Sequence, residues 1–252
     1  MNYKLNNIPE RPVKPRQSGL TMVMDKGLSL RQVEDFIEIA GVHTDIVKLG
    51  WATSYVTPNL KEKLALYRSA GIPTYFGGTL FEAFAIRNQF DDYRRVLEEF
   101  GMEYAEISDG SISLAHSKKC EYIKKLSKQV TVITEVGSKE EGIIIHPNKW
   151  IEMIGKELQC GAWKVIAEAR ESGTVGIYRP SGKAHVVLIN KIIAKISPDK
   201  IIWETPNKTG QTYFVKLLGA NANLGNIAPN EVLALESLRI GLRSDTFFDF
   251  MK

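Results

Sequence analysis

Short runs of apolar, β-branched residues alternate along this chain with longer stretches whose apolar positions recur at helical spacing. The short runs fall at 20–24, 45–49, 72–76, 103–107, 130–136, 163–167, 200–204 and 222–227. The helical stretches fall at 29–40, 59–70, 90–100, 118–128, 148–159, 183–196, 211–218 and 230–242. Each strand is followed by a helix, which is the signature of parallel βα units rather than hairpins. Helix starts are marked by Ser29 with Gln32, Thr79 with Glu82 and Ser138 with Glu141, pairs that fit the capping box. Helix stops are marked by Gly41, Gly71, Gly101 and Gly161, each placed where a left-handed residue would end the run. Eight such units without an internal linker predict an α/β fold, a single-domain (β/α)8 barrel (TIM barrel). The rival, an open doubly wound sheet, is disfavoured by the strand count and by the lack of a GxGxxG after the first strand. Residues 1–19 read as an extension closing the barrel bottom, and 20–252 as the barrel with a C-terminal tail.

In a barrel of this kind the chemistry sits on the loops after the strands. The strand ends carry Asp25 and Lys26, Lys48, Gly77 and Gly78, Glu106 with Ser108 and Asp109, Glu135, Glu168 with Arg170, Glu204, and Asn223 with Asn226. Alternation puts Thr21, Val23 and Asp25 on one strand face, Glu106 with Ser108 on another, and Glu168 with Arg170 on a third. If those faces point inward, carboxylates and cations converge on one mouth. Gathered carboxylates repel unless a cation sits among them, and Mg2+ takes carboxylate, water and substrate oxygens. Asp25, Glu106, Glu135 and Glu168 are therefore the expected metal ligands, the competing reading being ion pairs with Lys48, Lys26 or Arg170. Lys48, in an otherwise apolar strand, is either a phosphate ligand or a Schiff-base amine, a role equally open to Lys164. Lys139, after Glu135-Val-Gly-Ser, stands where it can reach substrate as a general acid, or else is an ordinary surface lysine. The loops 205–210 and 225–229 occupy the usual phosphate-binding positions after strands seven and eight. Two basic segments, 11–16 and Arg239 with Arg243, belong by connectivity to the opposite face, as closing or subunit contacts.

Composition narrows the classes further. In 252 residues, 44% hydrophobic content supports a sizeable core, and no apolar run is long enough to span a membrane. The N-terminus is polar and lacks an apolar secretion core, so a cytoplasmic protein is expected. Net charge is only +4, without a dense basic stripe, which argues against nucleic acid. Cys120 and Cys160 form no metal or disulfide pattern, and the four histidines show no ligand spacing.

Several ordered blocks add a family. Pro15-Arg-Gln-Ser-Gly-Leu-Thr-Met-Val-Met-Asp-Lys-Gly27, Val47-Lys-Leu-Gly-Trp51, Glu135-Val-Gly-Ser-Lys139, Glu168-Ala-Arg-Glu-Ser-Gly173, Asn223-Leu-Gly-Asn-Ile-Ala228 and Gly241-Leu-Arg-Ser-Asp-Thr246 resemble the phosphosulfolactate synthase family in sequence and order. Ala52, Ser138 and Ser244 depart from its pattern, where glycine, a second lysine and glycine are expected. The resemblance implies a (β/α)8 barrel, often a homo-oligomer, that adds sulfite to phosphoenolpyruvate with Mg2+ to give (2R)-3-phosphosulfolactate. That product is an entry to sulfolactate and, in methanogens, to coenzyme M. With that reaction, metal held by the acidic residues would stabilise an enediolate-like dianion and Lys139 would deliver the proton. Lys48, Lys26 and Arg170 would hold the anionic groups, with Ser108, Asn223 and Asn226 as further substrate contacts. Two rivals remain at this point: a Schiff-base aldolase acting on a small phosphorylated substrate, and a non-catalytic, stress-related barrel.

Overall fold

The computed structural model describes residues 3–137, 145–169, 174 and 176–251. Eight parallel strands, Thr21–Asp25 (β1), Ile46–Leu49 (β2), Thr74–Phe76 (β3), Tyr104–Ile107 (β4), Thr131–Val136 (β5), Ala162–Ala167 (β6), Ile201–Glu204 (β7) and Leu224–Ile227 (β8), form one sheet. Their order is β3-β2-β1-β8-β7-β6-β5-β4, and β3 lies against β4 without a hydrogen-bonded ladder, so the sheet curls into a nearly closed ring. The chain is a single-domain (β/α)8 barrel, as its periodicity predicts.

Ten α-helices surround the strands among the described residues: Leu30–Ala40 (α1), Thr53–Val56 (α2), Leu60–Ser69 (α3), Gly78–Ala85 (α4), Phe90–Glu99 (α5), His116–Leu126 (α6), Pro147–Gln159 (α7), Val186–Ile193 (α8), Lys208–Leu218 (α9) and Val232–Arg239 (α10). Two of them, α2 and α4, go beyond the eight predicted. Four residues are too few to show a helical period, and α4 buries Leu80, Phe81 and Glu82 together, which blurs its polar face. None of these helices is long and apolar enough to cross a membrane.

The predicted punctuation can be compared point by point. Ser29 and Gln32 form a reciprocal capping box at the start of α1. Thr79 does not cap: it lies one residue inside α4, and Glu82 is instead turned toward the barrel. Ser138 and Glu141 lie outside the described residues. Gly71, Gly101 and Gly161 take positive φ, whereas Gly41 is right-handed and opens a 3-10 turn after α1. His146 and His185 cap α7 and α8 with ring nitrogens that accept backbone N–H groups. Cys120 and Cys160, forty positions apart in sequence, are both free and lie in thiol contact, with burial and Cys160 pushing the Cys120 thiol up to about 11.

Two apolar layers share the strands. Val23, Val47, Ala105, Val132, Val165 and Trp203 face outward into the cluster that packs the helices. Met22, Ile46, Tyr75, Ile133, Ile166 and Ile202 fill the barrel interior. At the N-terminal end, Arg11 pairs with Glu236 at 2.9 Å, Arg16 with Asp45 at 3.1 Å, and the buried Arg239 donates to the carbonyls of Leu20, Ala220 and Ala222. These contacts tie the segment before β1 and the end of α10 to the bottom of β1 and β8.

Candidate active site

The interior layer fixes what stands above it. Because side chains alternate along a strand, the residue two beyond each interior apolar residue also points inward, one layer nearer the C-terminal mouth. Ile46 is thus followed by Lys48, Tyr104 by Glu106, Ile133 by Glu135, Ile166 by Glu168 and Ile202 by Glu204. Lys48 and all four glutamates are buried. They floor a cavity of about 630 Å³ whose rim includes Lys26, Trp51, Ser111 and Asn226.

Lys48 is the hub of this layer. Its Nζ lies 3.0 Å from Glu106 Oε2, 3.6 Å from Glu135 Oε2 and 3.8 Å from Glu204 Oε1. Burial alone would push the amine down, but Glu106, Glu135 and Glu204 outweigh it and hold the ammonium well above the ordinary lysine range. The carboxylates are anchored from outside the ring as well. Glu106 Oε1 accepts the Gly78 N–H at 2.7 Å, the first residue of α4, where the helix dipole favours negative charge. A side chain at Gly78 would come within 2.6 Å of that oxygen and 2.2 Å of Ser108 Oγ, so only glycine permits this approach. Glu204 Oε2 accepts the Ala169 N–H at 2.7 Å. Beneath the ring, the Tyr75 hydroxyl is pushed well above its ordinary value by burial and by Glu106.

A second charged cluster braces β5 from the helix side. The buried Lys119 of α6 pairs with Asp109 at 2.8 Å and Glu157 at 2.9 Å, and donates to the Glu135 carbonyl at 2.5 Å. His116 Nε2 lies 3.2 Å from the same Glu157. Burial raises the Asp109 carboxyl, against the pull of Lys119.

Among the described residues, Glu135, Glu168 and Glu204 each bring a carboxylate oxygen within 4.8 Å of the other two. Three buried oxygen donors converging on one point suit a hard divalent cation. This set differs from the expected one. Glu106, Glu135 and Glu168 do meet at the mouth, but Asp25 does not: Thr21 and Val23 face the helices, and Asp25 with them. Its Oδ2 accepts from Lys63 Nζ and the Tyr67 hydroxyl, each at 3.0 Å, and its Oδ1 from the Gly27 and Leu28 N–H groups. Asp25 is therefore half of a buried ion pair between β1 and α3, and Glu204 takes its expected position among the carboxylates. The signal for Glu204 was its place two residues after Ile202.

The other expected residues divide similarly. Lys26 and Asn226 line the mouth. Asn226 has φ +57°. Ser108 is buried outside the cavity, its hydroxyl donating to Glu82 Oε1 at 2.6 Å. Asn223 lies at the opposite end of the barrel, where its amide bonds the Asp199 and Ile201 carbonyls and the Leu20 N–H. It is a residue of the barrel bottom rather than a substrate contact. Lys164 is also at that end, donating to the Gln17 and Asp199 carbonyls, with burial bringing its amine down to about 8. Lys139 and Arg170 lie outside the described residues.

Known proteins are similar to this chain in sequence or in fold. The family described as (2R)-phospho-3-sulfolactate synthase matches residues 9–245. The phosphosulfolactate synthase of Bacillus subtilis is 41% identical over 251 residues, covering 98% of this chain and 100% of its own. That of Methanocaldococcus jannaschii is 39% identical over 237 residues, covering 92% and 94%. Among solved structures, 3-hexulose-6-phosphate synthase from Salmonella typhimurium superposes with a TM-score of 0.58, covering 89% of this chain and 100% of its own. At 9% identity this last likeness concerns the barrel alone.

Proposed function

The chain belongs to the (2R)-phospho-3-sulfolactate synthase family of enzymes, and from that premise we propose that it adds sulfite to phosphoenolpyruvate to give (2R)-phospho-3-sulfolactate. The observation that carries this reading is the ring of buried carboxylates around Lys48 at the floor of a mouth rimmed by Lys26 and Asn226. Phosphoenolpyruvate and sulfite are both anions, and bringing them together needs cationic charge that water would otherwise screen. Glu135, Glu168 and Glu204 are the residues suited to hold Mg2+, which when bound would offset negative charge accumulating on the substrate carboxylate.

The remaining work falls to side chains. Sulfur of sulfite forms a bond to the methylene carbon of phosphoenolpyruvate, and the π electrons of the double bond shift toward C2 and the carboxylate. A proton must then reach C2; the phosphate ester stays intact and nothing leaves. We assign that proton to Lys139 and the gripping of the anionic groups to Arg170 and Lys26, with Asn226 a neutral contact at the rim. Lys48, held protonated by three carboxylates, fixes their geometry and carries positive charge beneath the substrate. The same protonation speaks against the aldolase reading, since a Schiff-base lysine must be a free amine. Lys164, at the other end of the barrel, is remote from the cavity floor. A non-catalytic barrel is disfavoured because burying four glutamates in a cavity costs stability that a scaffold has no reason to give up. Mg2+ as the metal, a cytoplasmic location and a homo-oligomeric assembly belong to the same proposal.

The test is direct. Purified protein incubated with phosphoenolpyruvate, sulfite and Mg2+ should yield a phosphorylated sulfonate detectable by mass spectrometry. No such product, with phosphoenolpyruvate fully recovered, overturns the assignment. Lys139→Ala should abolish turnover while phosphoenolpyruvate still binds.

A further inference from the structure

The three glutamates that suit a divalent cation are tied by their main chains as well as by their side chains. The Glu135 carbonyl accepts Lys119 Nζ at 2.5 Å, the Glu168 carbonyl accepts the Ile177 N–H at 3.0 Å, and the Glu204 carbonyl accepts the Tyr178 hydroxyl at 3.1 Å. The last two donors are consecutive residues of one segment. They act where the ladder between β6 and β7 gives out: it ends at the pair Ala167 and Trp203, and just past it the Ala169 N–H turns to Glu204 Oε2 at 2.7 Å. The segment is itself braced as a tight hairpin, with the His185 N–H on the Ile177 carbonyl and the Arg179 N–H on the Lys183 carbonyl, each at 2.8 Å. Two glycines permit the approach. Gly176 has φ +70°, and a Cβ there would fall 2.0 Å from the Glu168 carbonyl oxygen. Gly210 lies in the first turn of α9, where a Cβ would fall 2.1 Å from the Tyr178 hydroxyl oxygen. Glycine is a poor helix former, so its use there reflects the room the hydroxyl needs.

We propose that Tyr178 is a positioning residue for divalent-cation binding, its hydroxyl fixing the end of β7 so that Glu204 presents its carboxylate beside that of Glu168. This rests on the metal-holding role proposed above for Glu135, Glu168 and Glu204, and not on the sulfite chemistry. A cation gains most from donors already in place, because the ordering of each loose carboxylate is subtracted from the binding free energy. Groups that orient metal-binding side chains from behind therefore act on affinity. Tyr178 is buried in the core on the helix side of the strands, so its influence passes through the Glu204 main chain and not through contact with the cation. Ile177, its neighbour, fastens Glu168 in the same way, which couples the two strand ends through one short segment.

Calorimetry of Mg2+ binding without substrates tests this. Tyr178→Phe deletes the hydroxyl and keeps the ring; Tyr67→Phe deletes another buried hydroxyl, one bonded to Asp25 away from the mouth. Tyr178→Phe should weaken Mg2+ binding about two- to ten-fold, the range expected for one hydrogen bond. Tyr67→Phe should leave Mg2+ affinity unchanged, although both variants lower thermal stability. Gly210→Ala, which displaces the hydroxyl without removing it, should weaken Mg2+ binding in the wild-type background and add little in the Tyr178→Phe background. In turnover, Tyr178→Phe should raise the Mg2+ concentration for half-maximal activity and leave kcat at saturating Mg2+ within about two-fold. Unchanged Mg2+ affinity in Tyr178→Phe, or an equal loss in Tyr67→Phe, would overturn the positioning role. Weakened Mg2+ binding by Tyr178→Phe in a protein that makes no sulfonate would support this role while removing the proposed reaction. A wild-type protein that binds no Mg2+ would overturn the role together with the metal assignment.

Discussion

Replacing Lys48 by methionine should turn the floor of the site against the fold, and should do so increasingly as pH rises. The ammonium lies 3.0, 3.6 and 3.8 Å from three buried carboxylates. At an effective dielectric of about 20, one unit-charge attraction is worth about 5 kcal/mol at the shortest of these distances and about 4 kcal/mol at the longest. Much of that is offset by the cost of burying the ammonium, and removal of one partner from a buried ion pair typically costs about 3–5 kcal/mol. Domains of this kind are stable by about 5–15 kcal/mol in total, so Lys48→Met should fold but with a large part of its margin gone. The pH dependence identifies the cause. In the wild type the folded-state pKa of Lys48 lies above its unfolded value of about 10.5, so its contribution is complete throughout pH 5–8 and is lost only at higher pH. In the variant the glutamates lose a neutralising charge and hold protons more tightly when folded than when unfolded. Stability from a raised carboxyl pKa is present at low pH and is lost as pH climbs through that value. Urea denaturation at pH 5 and pH 8 should therefore show a wider gap between wild type and Lys48→Met at pH 8. Added Mg2+ should narrow the gap, because binding to the folded carboxylates stabilises by mass action. Parallel stabilities at both pH values would refute the view that Lys48 stabilises the fold by neutralising these acids.

Ala52→Gly should stabilise the protein by about 0.5–1 kcal/mol in thermal denaturation, because glycine takes φ near +55° without a Cβ penalty that outweighs its extra unfolded-state entropy. Asp25→Asn should cost about 3 kcal/mol by leaving Lys63 buried without its carboxylate, yet the Mg2+ concentration for half-maximal activity of the folded enzyme should not move. Glu204→Gln should instead weaken Mg2+ activation at least about ten-fold, a change read from activity against metal concentration and from metal-dependent thermal shifts. Lys164 has a folded pKa of about 8 against 10.5 unfolded, so the unfolded chain binds more protons between those values and wild-type stability should gain there as pH rises. Lys164→Met should lack that gain, as judged from urea midpoints across pH 8 to 10.5.

The sequence by itself determined the eightfold alternation, the barrel and most of the mouth. Strand and helix periods are local properties, and the C-terminal ends of parallel strands in a barrel converge by topology, so Lys48, Glu106, Glu135 and Glu168 could be read from position alone. The inward face of each strand could not. In a parallel barrel both strand faces are buried and apolar, so alternation separates two faces without saying which is interior. Met22 and Val23 are equally acceptable core residues, and only packing shows that Met22 fills the barrel while Val23 meets the helices. That choice turned Asp25 outward to Lys63. Glu204 was admitted by the same kind of choice on β7, where Ile202 is interior and Trp203 meets the helices. Asn223 was misplaced for a related reason: the block it opens is the sequence of β8 continuing into the following loop, and only the register of β8 puts its start at the bottom and Asn226 at the top. The contact between Lys26 and Trp51, like that between Cys120 and Cys160, joins neighbouring βα units, and such proximity exists only once those units have packed side by side.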